Sequence, residues 1–320
     1  MELYTGVYQI HSLFAGRDLF QYLFVGDRIV LLDAGIGETP ETVIFPYLND
    51  LRIKPQQLAL VVVTHADADH QGGIDAIKQA SPETWLACGV EDQAMIEDPQ
   101  VLWDLRYTFL REGYGLELDA LDSARSNSRI AGNPRKVDLC FVGGEKIRID
   151  DGWELEVLHV PGHSRGHLGL YDRKHETAFV SDALHGRGFP GTSGDMAVPV
   201  TYYDVDLYLS TLCLLEKLPI KTLCTGHFPP KHGEAIGAFI ADSRQTAVTF
   251  DHIILAGLVQ HDSGLNMKEL IDVVGNAFGD WPKDTWIYLM FALKGHLDRL
   301  ERQGRVRFLQ DLPPFRWALA

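Results

Sequence analysis

An apolar run that breaks off into ionisable groups constrains this chain more than any other feature. Val61, Val62, Val63 and Thr64 read as an interior strand, and His65-Ala66-Asp67-Ala68-Asp69-His70 follows at once, four cation ligands within six residues. Gln71, Gly72 and Gly73 come next, and helical periodicity begins there. Strand, polar loop, helix is an α/β unit with its chemistry at the C-terminal end of the strand. Without a cation, Asp67 and Asp69 would repel each other. Imidazole nitrogen and carboxylate oxygen together suit zinc, iron or manganese. The competing reading is a polar loop whose Asp and His cap the next helix.

Three more strand ends repeat the arrangement. Val157-Leu158-His159-Val160-Pro161-Gly162 leads to His163, Phe179-Val180-Ser181 leads to Asp182, and Leu223-Cys224-Thr225-Gly226 leads to His227. Each alone would be a turn residue; their recurrence beside the first cluster points to one shared centre. Strands are expected at 6–10, 20–25, 28–33, 58–64, 84–88, 153–159, 168–172, 177–181 and 222–224, enough for two stacked sheets. Turns at Gly26-Asp27 and at 172–175 make part of each sheet antiparallel. Helices are expected at 40–51, 73–79 and 205–218, the last after an Asp204 N-cap. Residues 95–133 interrupt this rhythm with Trp103, Tyr107, Phe109 and Tyr114 and then a polar stretch, read as a helical insert ending in a mobile loop.

Taken in order, these residues resemble the metallo-β-lactamase superfamily, and the resemblance extends to Leu31-Leu32-Asp33-Ala34-Gly35 as the early strand and Asp-x-Gly turn. It implies a four-layer αββα sandwich over residues 1–233. It also implies that His65, Asp67 and His163 hold a first metal ion, that Asp69, His70 and His227 hold a second, and that Asp182 bridges them. The superfamily signature is H-x-H-x-D-H, and Asp67 stands where its second His belongs. Two outcomes follow. A harder, anionic ligand shifts the first site from zinc towards iron or manganese, or Asp67 stays off the metal and the centre is mononuclear at the second site.

The expected activity is hydrolysis. Two divalent ions, zinc with iron or manganese as alternatives, share a water, lower its pKa towards neutrality and polarise the bond under attack. Asp69 orients that nucleophile or passes a proton. Ester, thioester, lactone and phosphoester bonds all fit, so the substrate is a small molecule of undetermined class. The alternative is a di-iron, oxygen-using centre, motivated by the carboxylate at 67. His185 and Tyr202, flanking a Gly-rich stretch at 186–194, are expected to contact substrate.

After Pro230, helices at 234–260, 267–277 and 285–303 and an extended run at 306–309 give the element order of a winged-helix-like domain over 234–320. Lys294, Arg299, Arg302, Arg305 and Arg307 make its end locally basic, which raises nucleic-acid binding or nuclease action as a further alternative. The chain as a whole carries 44 acidic against 29 basic residues, a net charge of -15, which opposes it, so packing or homodimer formation is the preferred role. Four scattered cysteines with no Cys-x-x-Cys pair suggest neither a disulfide framework nor a thiolate zinc site. With no apolar run of transmembrane length and no leader-like start, the expectation is a cytoplasmic protein without membrane partners.

Overall fold

Alternate residues of the central strands enter two different apolar layers, and this sets the architecture. Val61 and Val63 pack with Ile74, Ile77 and Leu86. Val62, between them, packs with Val30, Leu32, Leu155 and Phe179. A strand covered on both faces reads as an unbroken Val/Leu run, which is why it stood out in the sequence. The computed structural model describes residues 1–118, 128–311 and 313–320.

The first sheet runs in chain order through β1 (Glu2–Tyr4), β2 (Val7–Phe14), β3 (Arg17–Val25), β4 (Ile29–Leu32), β5 (Leu58–Val62), β6 (Trp85–Gly89) and β7 (Leu139–Phe141). Its first four strands are antiparallel, and β4 to β7 are parallel. The second sheet contains β8 (Lys146–Asp150), β9 (Trp153–His159), β10 (Leu168–Asp172) and β11 (Thr177–Ser181). After a small hairpin of β12 (Phe189–Pro190) and β13 (Met196–Val198), β14 (Thr222–Thr225) and β15 (Lys231–His232) complete it. Its order is β15-β14-β11-β10-β9-β8, with β11 and β14 parallel. Phe20, Phe24, Val157, Leu170 and Phe179 fill the space between the sheets. Helices cover both outer faces, so the chain forms an α/β sandwich with two mixed sheets.

The strongly apolar strands lie where expected, and the helix Val205–Lys217 starts at Asp204, whose carboxylate accepts from the amides of Asp206 and Leu207. Residues 40–51, expected as one helix, form a π-helical turn, Pro40–Ile44, running into the helix Phe45–Asp50. Short helices occupy Gln93–Glu97, Pro99–Leu102 and Ser128–Ala131, with a π-helical turn at Trp103–Tyr107. The expected mobile loop falls largely on 119–127, outside the described residues.

The C-terminal segment has the helices Glu234–Leu258, Met267–Phe278 and Leu289–Arg302, then the antiparallel pair β16 (Val306–Leu309) and β17 (Arg316–Leu319). Asn266 and Glu269 reciprocally cap the second helix at 2.9 and 3.0 Å. Phe250, Leu270 and Leu297 share one apolar cluster with Tyr202, Tyr208 and Leu212 of the preceding part of the chain. Among the described residues no helix is long and apolar enough to cross a membrane.

Candidate metal centre

All the sequence-identified ligands leave strand ends at the same edge of the sandwich, and four of them form a cage. His227 Nε2 lies 3.4 Å from both Asp69 Oδ2 and Asp182 Oδ2. His70 Nε2 lies 3.9 Å from Asp69 Oδ2 and 3.7 Å from Asp182 Oδ2. A tetrahedron with metal–ligand bonds of about 2.0–2.1 Å has edges of about 3.3–3.4 Å; the His227 edges match it, the His70 edges are longer, and the donor atoms of Asp69, His70 and His227 all lie within 4.8 Å of one another, so a small shift of His70 would close them on one small cation. His70 Nε2 and Asp182 Oδ1 are buried without a hydrogen-bond partner among the described residues. Orphaned polar atoms of this kind are costly unless a ligand satisfies them. The donor set therefore fits a divalent ion.

Neighbouring groups hold these ligands in the right tautomer. His70 Nδ1 donates to Asp33 Oδ2 at 2.9 Å, and His227 Nδ1 donates to the Asp18 carbonyl at 2.8 Å, so each ring presents Nε2 to the cage. Asp33 and Ser181 adopt positive φ, 62° and 45°, uncommon for such residues and concentrated at functional sites. Gly226 is required by proximity: a Cβ there would meet Asp182 Oδ1 at 2.6 Å and His70 Cε1 at 2.8 Å. Asp92, buried, accepts from Ala66 N, Ser164 Oγ and Gly166 N and so ties the His65 and His163 loops together.

The other half of the cluster differs. The donor atoms of His65, Asp67 and His163 also lie within 4.8 Å of one another, but a guanidinium is among them. Arg106 Nε and Nη2 donate to the two Asp67 oxygens at 2.9 and 2.8 Å. Nη1 donates to the His163 carbonyl at 2.9 Å, and Nη2 is 3.0 Å from His163 Nε2. Tyr107 donates its hydroxyl to Asp67 Oδ1 at 3.0 Å. Arg106 comes from the π-helical turn Trp103–Tyr107, its side chain 6% exposed and its guanidinium 4.8 Å from the centre of the Phe291 ring.

The electrostatics divide in the same way. Burial alone would push the His70 imidazolium down, but Asp182, Asp33 and Asp69 outweigh it and hold the pKa at about 10. His227 is held at about 9 against the same penalty, chiefly by Asp182. His163 is lowered to about 4 by burial and by the charge of Arg106. Asp67, despite burial, is held well below the usual carboxylate range by Arg106. One half of the cluster attracts positive charge, and the other already contains it.

A cavity of about 400 Å³ opens over the centre. Asp67, Asp69, His163, Asp182 and His227 line it, with Arg17 and Arg106, an apolar wall including Phe14, Trp103 and Phe189, and Pro282, Tyr288 and Phe291 from the C-terminal segment. Tyr202 and His185, expected to contact substrate, are fully buried and do not line it. The Tyr202 hydroxyl is 2.9 Å from His296 Nε2, and the His185 ring stacks on Tyr202 and Tyr208. The substrate role is corrected accordingly: both rings lie in the core behind the centre. Among the described residues both His185 ring nitrogens are without a hydrogen-bond partner, and its donor atoms cluster with those of His163 and Asp182. His167, similarly buried, meets the His65 ring edge-on. The basic C-terminal residues are mostly engaged at home, Lys294 with Asp298, Arg299 with Asp206 and Asp251, and Arg302 with Asp206.

Sequence reasoning passed over Arg106, Asp92 and the role of Asp33. The signal for Arg106 was an arginine inside an aromatic stretch in a chain carrying an unmatched carboxylate at 67.

Residues 20–227 match the family model for the metallo-beta-lactamase superfamily. An acyl-coenzyme A thioesterase from Gallus gallus is 23% identical over 189 residues, 53% of this chain and 56% of that protein. A hydroxyacylglutathione hydrolase from Prochlorococcus marinus (strain MIT 9303) is 25% identical over 198 residues, 58% of each. The chain thus spans about half the length of these curated relatives. A metallo-beta-lactamase family protein from Thermus thermophilus shares the fold with a TM-score of 0.75 at 19% identity, over 99% of this chain and 100% of that one. Since the family match covers well over half of its residues, the chain belongs to the metallo-beta-lactamase superfamily, whose members are metal-dependent hydrolases.

Proposed function

We propose that this chain hydrolyses a small ester or thioester, using a divalent ion, zinc first among the candidates, held by Asp69, His70, Asp182 and His227. The observation that carries this reading is the spacing of those four donors, with His70 Nε2 and Asp182 Oδ1 left unpartnered. A divalent ion held by these residues would supply a water of lowered pKa and Lewis acidity towards the acyl carbonyl. The chain's own groups do the rest. Asp69, ionised because His70, His227 and Arg17 override its burial, accepts a hydrogen bond from the attacking water and orients it. Arg17, whose Nη2 is 4.0 Å from Asp69 Oδ2 on the cavity wall, stabilises negative charge developing on the substrate. Phe14, Trp103 and Phe189 receive the apolar part of the acyl group. Water adds across the acyl bond, releasing a carboxylate and a thiol or alcohol. The relatives named as an acyl-coenzyme A thioesterase and a hydroxyacylglutathione hydrolase support this class over phosphoesters.

In this reading residues 1–233 form the catalytic unit and 234–320 a winged-helix-like unit that walls the cavity through Pro282, Tyr288 and Phe291. The carboxylate at 67, which motivated a di-iron centre, is paired with Arg106 and no longer favours that alternative.

The test is a panel of acyl thioesters, esters, lactones and phosphodiesters assayed with and without a chelator. Chelator-sensitive thioester or ester turnover is expected. Turnover restricted to phosphodiesters, or unaffected by complete metal removal, would overturn the reading.

A further inference from the structure

We infer that Arg106 stands in for the first metal ion, so that the chain binds one ion rather than two. The inference rests on the reading of Asp69, His70, Asp182 and His227 as the site of the remaining ion.

Arg106 and Tyr107 fill three of the lone-pair sites of Asp67. Oδ1 receives Arg106 Nε and the Tyr107 hydroxyl, and Oδ2 receives Arg106 Nη2 and lies 2.9 Å from His163 Nε2. A carboxylate offers about four lone-pair sites, so at most one remains, on Oδ2, and both the guanidinium and the His163 ring crowd it. His163 is engaged as well, its Nε2 by Arg106 Nη2 and its carbonyl by Nη1. Guanidinium stays protonated throughout the range in which proteins fold, so this charge is permanent. A divalent ion between Asp67 and His163 would face a buried like charge within a few ångströms, in surroundings that screen poorly.

Asp67 and Arg106 therefore form one arrangement. A neutral histidine at 67, as in the superfamily signature, would give the guanidinium no counter-charge, whereas aspartate gives it a bidentate one. The aromatic insert delivers the arginine, and Phe291 of the C-terminal segment covers it. His65 retains a ring nitrogen without a hydrogen-bond partner among the described residues; it clusters both with Asp67 and His163 and with His70 and Asp182, so with the first group closed by Arg106 it faces the single ion through the second.

The experiment is metal counting on the full chain. Protein equilibrated with excess zinc, passed over a chelating resin and analysed by plasma mass spectrometry should hold one zinc per chain, with a single tight event in competition titration against a chromophoric chelator. Arg106→Lys, which keeps the charge, should stay at one. The double variant Asp67→His with Arg106→Met, which restores the usual ligand and removes the cation, should rise to two. Two tightly held zincs in the unaltered chain, or one in a double variant with an unchanged circular dichroism spectrum, overturn the inference. If the double variant does not fold, the count on the unaltered chain decides. Two ions with ester or thioester turnover would sink this inference alone, whereas one ion with no turnover across the panel would sink only the proposed activity.

Discussion

Asp33 holds His70 from behind: its Oδ2 lies 2.9 Å from His70 Nδ1, while the same carboxylate accepts from Thr64 N, Thr64 Oγ1 and Ser181 Oγ. One side chain thus joins the ends of β4, β5 and β11 to a metal-facing imidazole. Groups that orient a ligating histidine typically change metal affinity by about 10–100-fold when removed. Asp33→Ala is expected to weaken zinc binding in that range, measured by chelator competition. Because it also strips the partner from the buried Thr64 amide, a stability loss of about 1–3 kcal/mol in urea unfolding should accompany it.

Removing a cage ligand should be harsher for activity and milder for the fold. Asp182→Ala and His227→Ala are expected to abolish turnover and reduce bound metal while the far-ultraviolet circular dichroism stays unchanged, since the inter-sheet core does not include them. Full activity and metal content in both variants would be fatal to the site. Chelation of the unaltered chain should lower both turnover and melting temperature, and added zinc should restore them.

Tyr202 distinguishes a substrate contact from a structural one. Its hydroxyl bonds His296, fully buried, at 2.9 Å. Tyr202→Phe should lose about 1 kcal/mol of stability and leave kcat/KM within about twofold. A loss of kcat/KM of tenfold or more with unchanged stability would return the phenol to the substrate site.

The C-terminal segment should influence substrate choice. Tyr288 lines the cavity, so Tyr288→Ala is expected to raise KM about 5- to 30-fold for substrates with a long apolar acyl group, the equivalent of roughly 1–2 kcal/mol of lost apolar contact. A uniform change for acetyl and long-chain substrates would argue that Tyr288 acts on the fold rather than on the acyl group.

Acid sensitivity should trace partly to Asp251. Burial pushes its carboxyl pKa up, but His296 Nδ1 at 2.7 Å and Arg299 Nη1 at 2.7 Å override this and lower it. A depressed folded-state pKa contributes stability above the unfolded value of about 3.9 and loses it as pH falls through the folded value. Asp251→Asn should therefore melt lower than the unaltered chain at pH 7, with the gap narrowing below about pH 4. A gap that stays constant from pH 7 to pH 3 would show that the charge is irrelevant.

The strands that stood out in the sequence were those covered on both faces, such as Ile29–Leu32 and Thr177–Ser181, because burial on both sides demands an unbroken apolar run. Leu139–Phe141 and Lys146–Asp150 did not stand out: the first is three residues long and pairs with the sequence-distant strand Trp85–Gly89, and the second, though it forms a hairpin with the next strand, breaks its apolar pattern with exposed Lys146 and Arg148. By itself the sequence determined the α/β layering and the ligand-bearing strand ends, since both are written locally as an apolar period followed by a polar break. It did not determine how charge is balanced within the cluster. That was decided when tertiary packing brought Arg106 to Asp67 and turned Tyr202 inward to His296, contacts between residues 39 and 94 positions apart that no local pattern records.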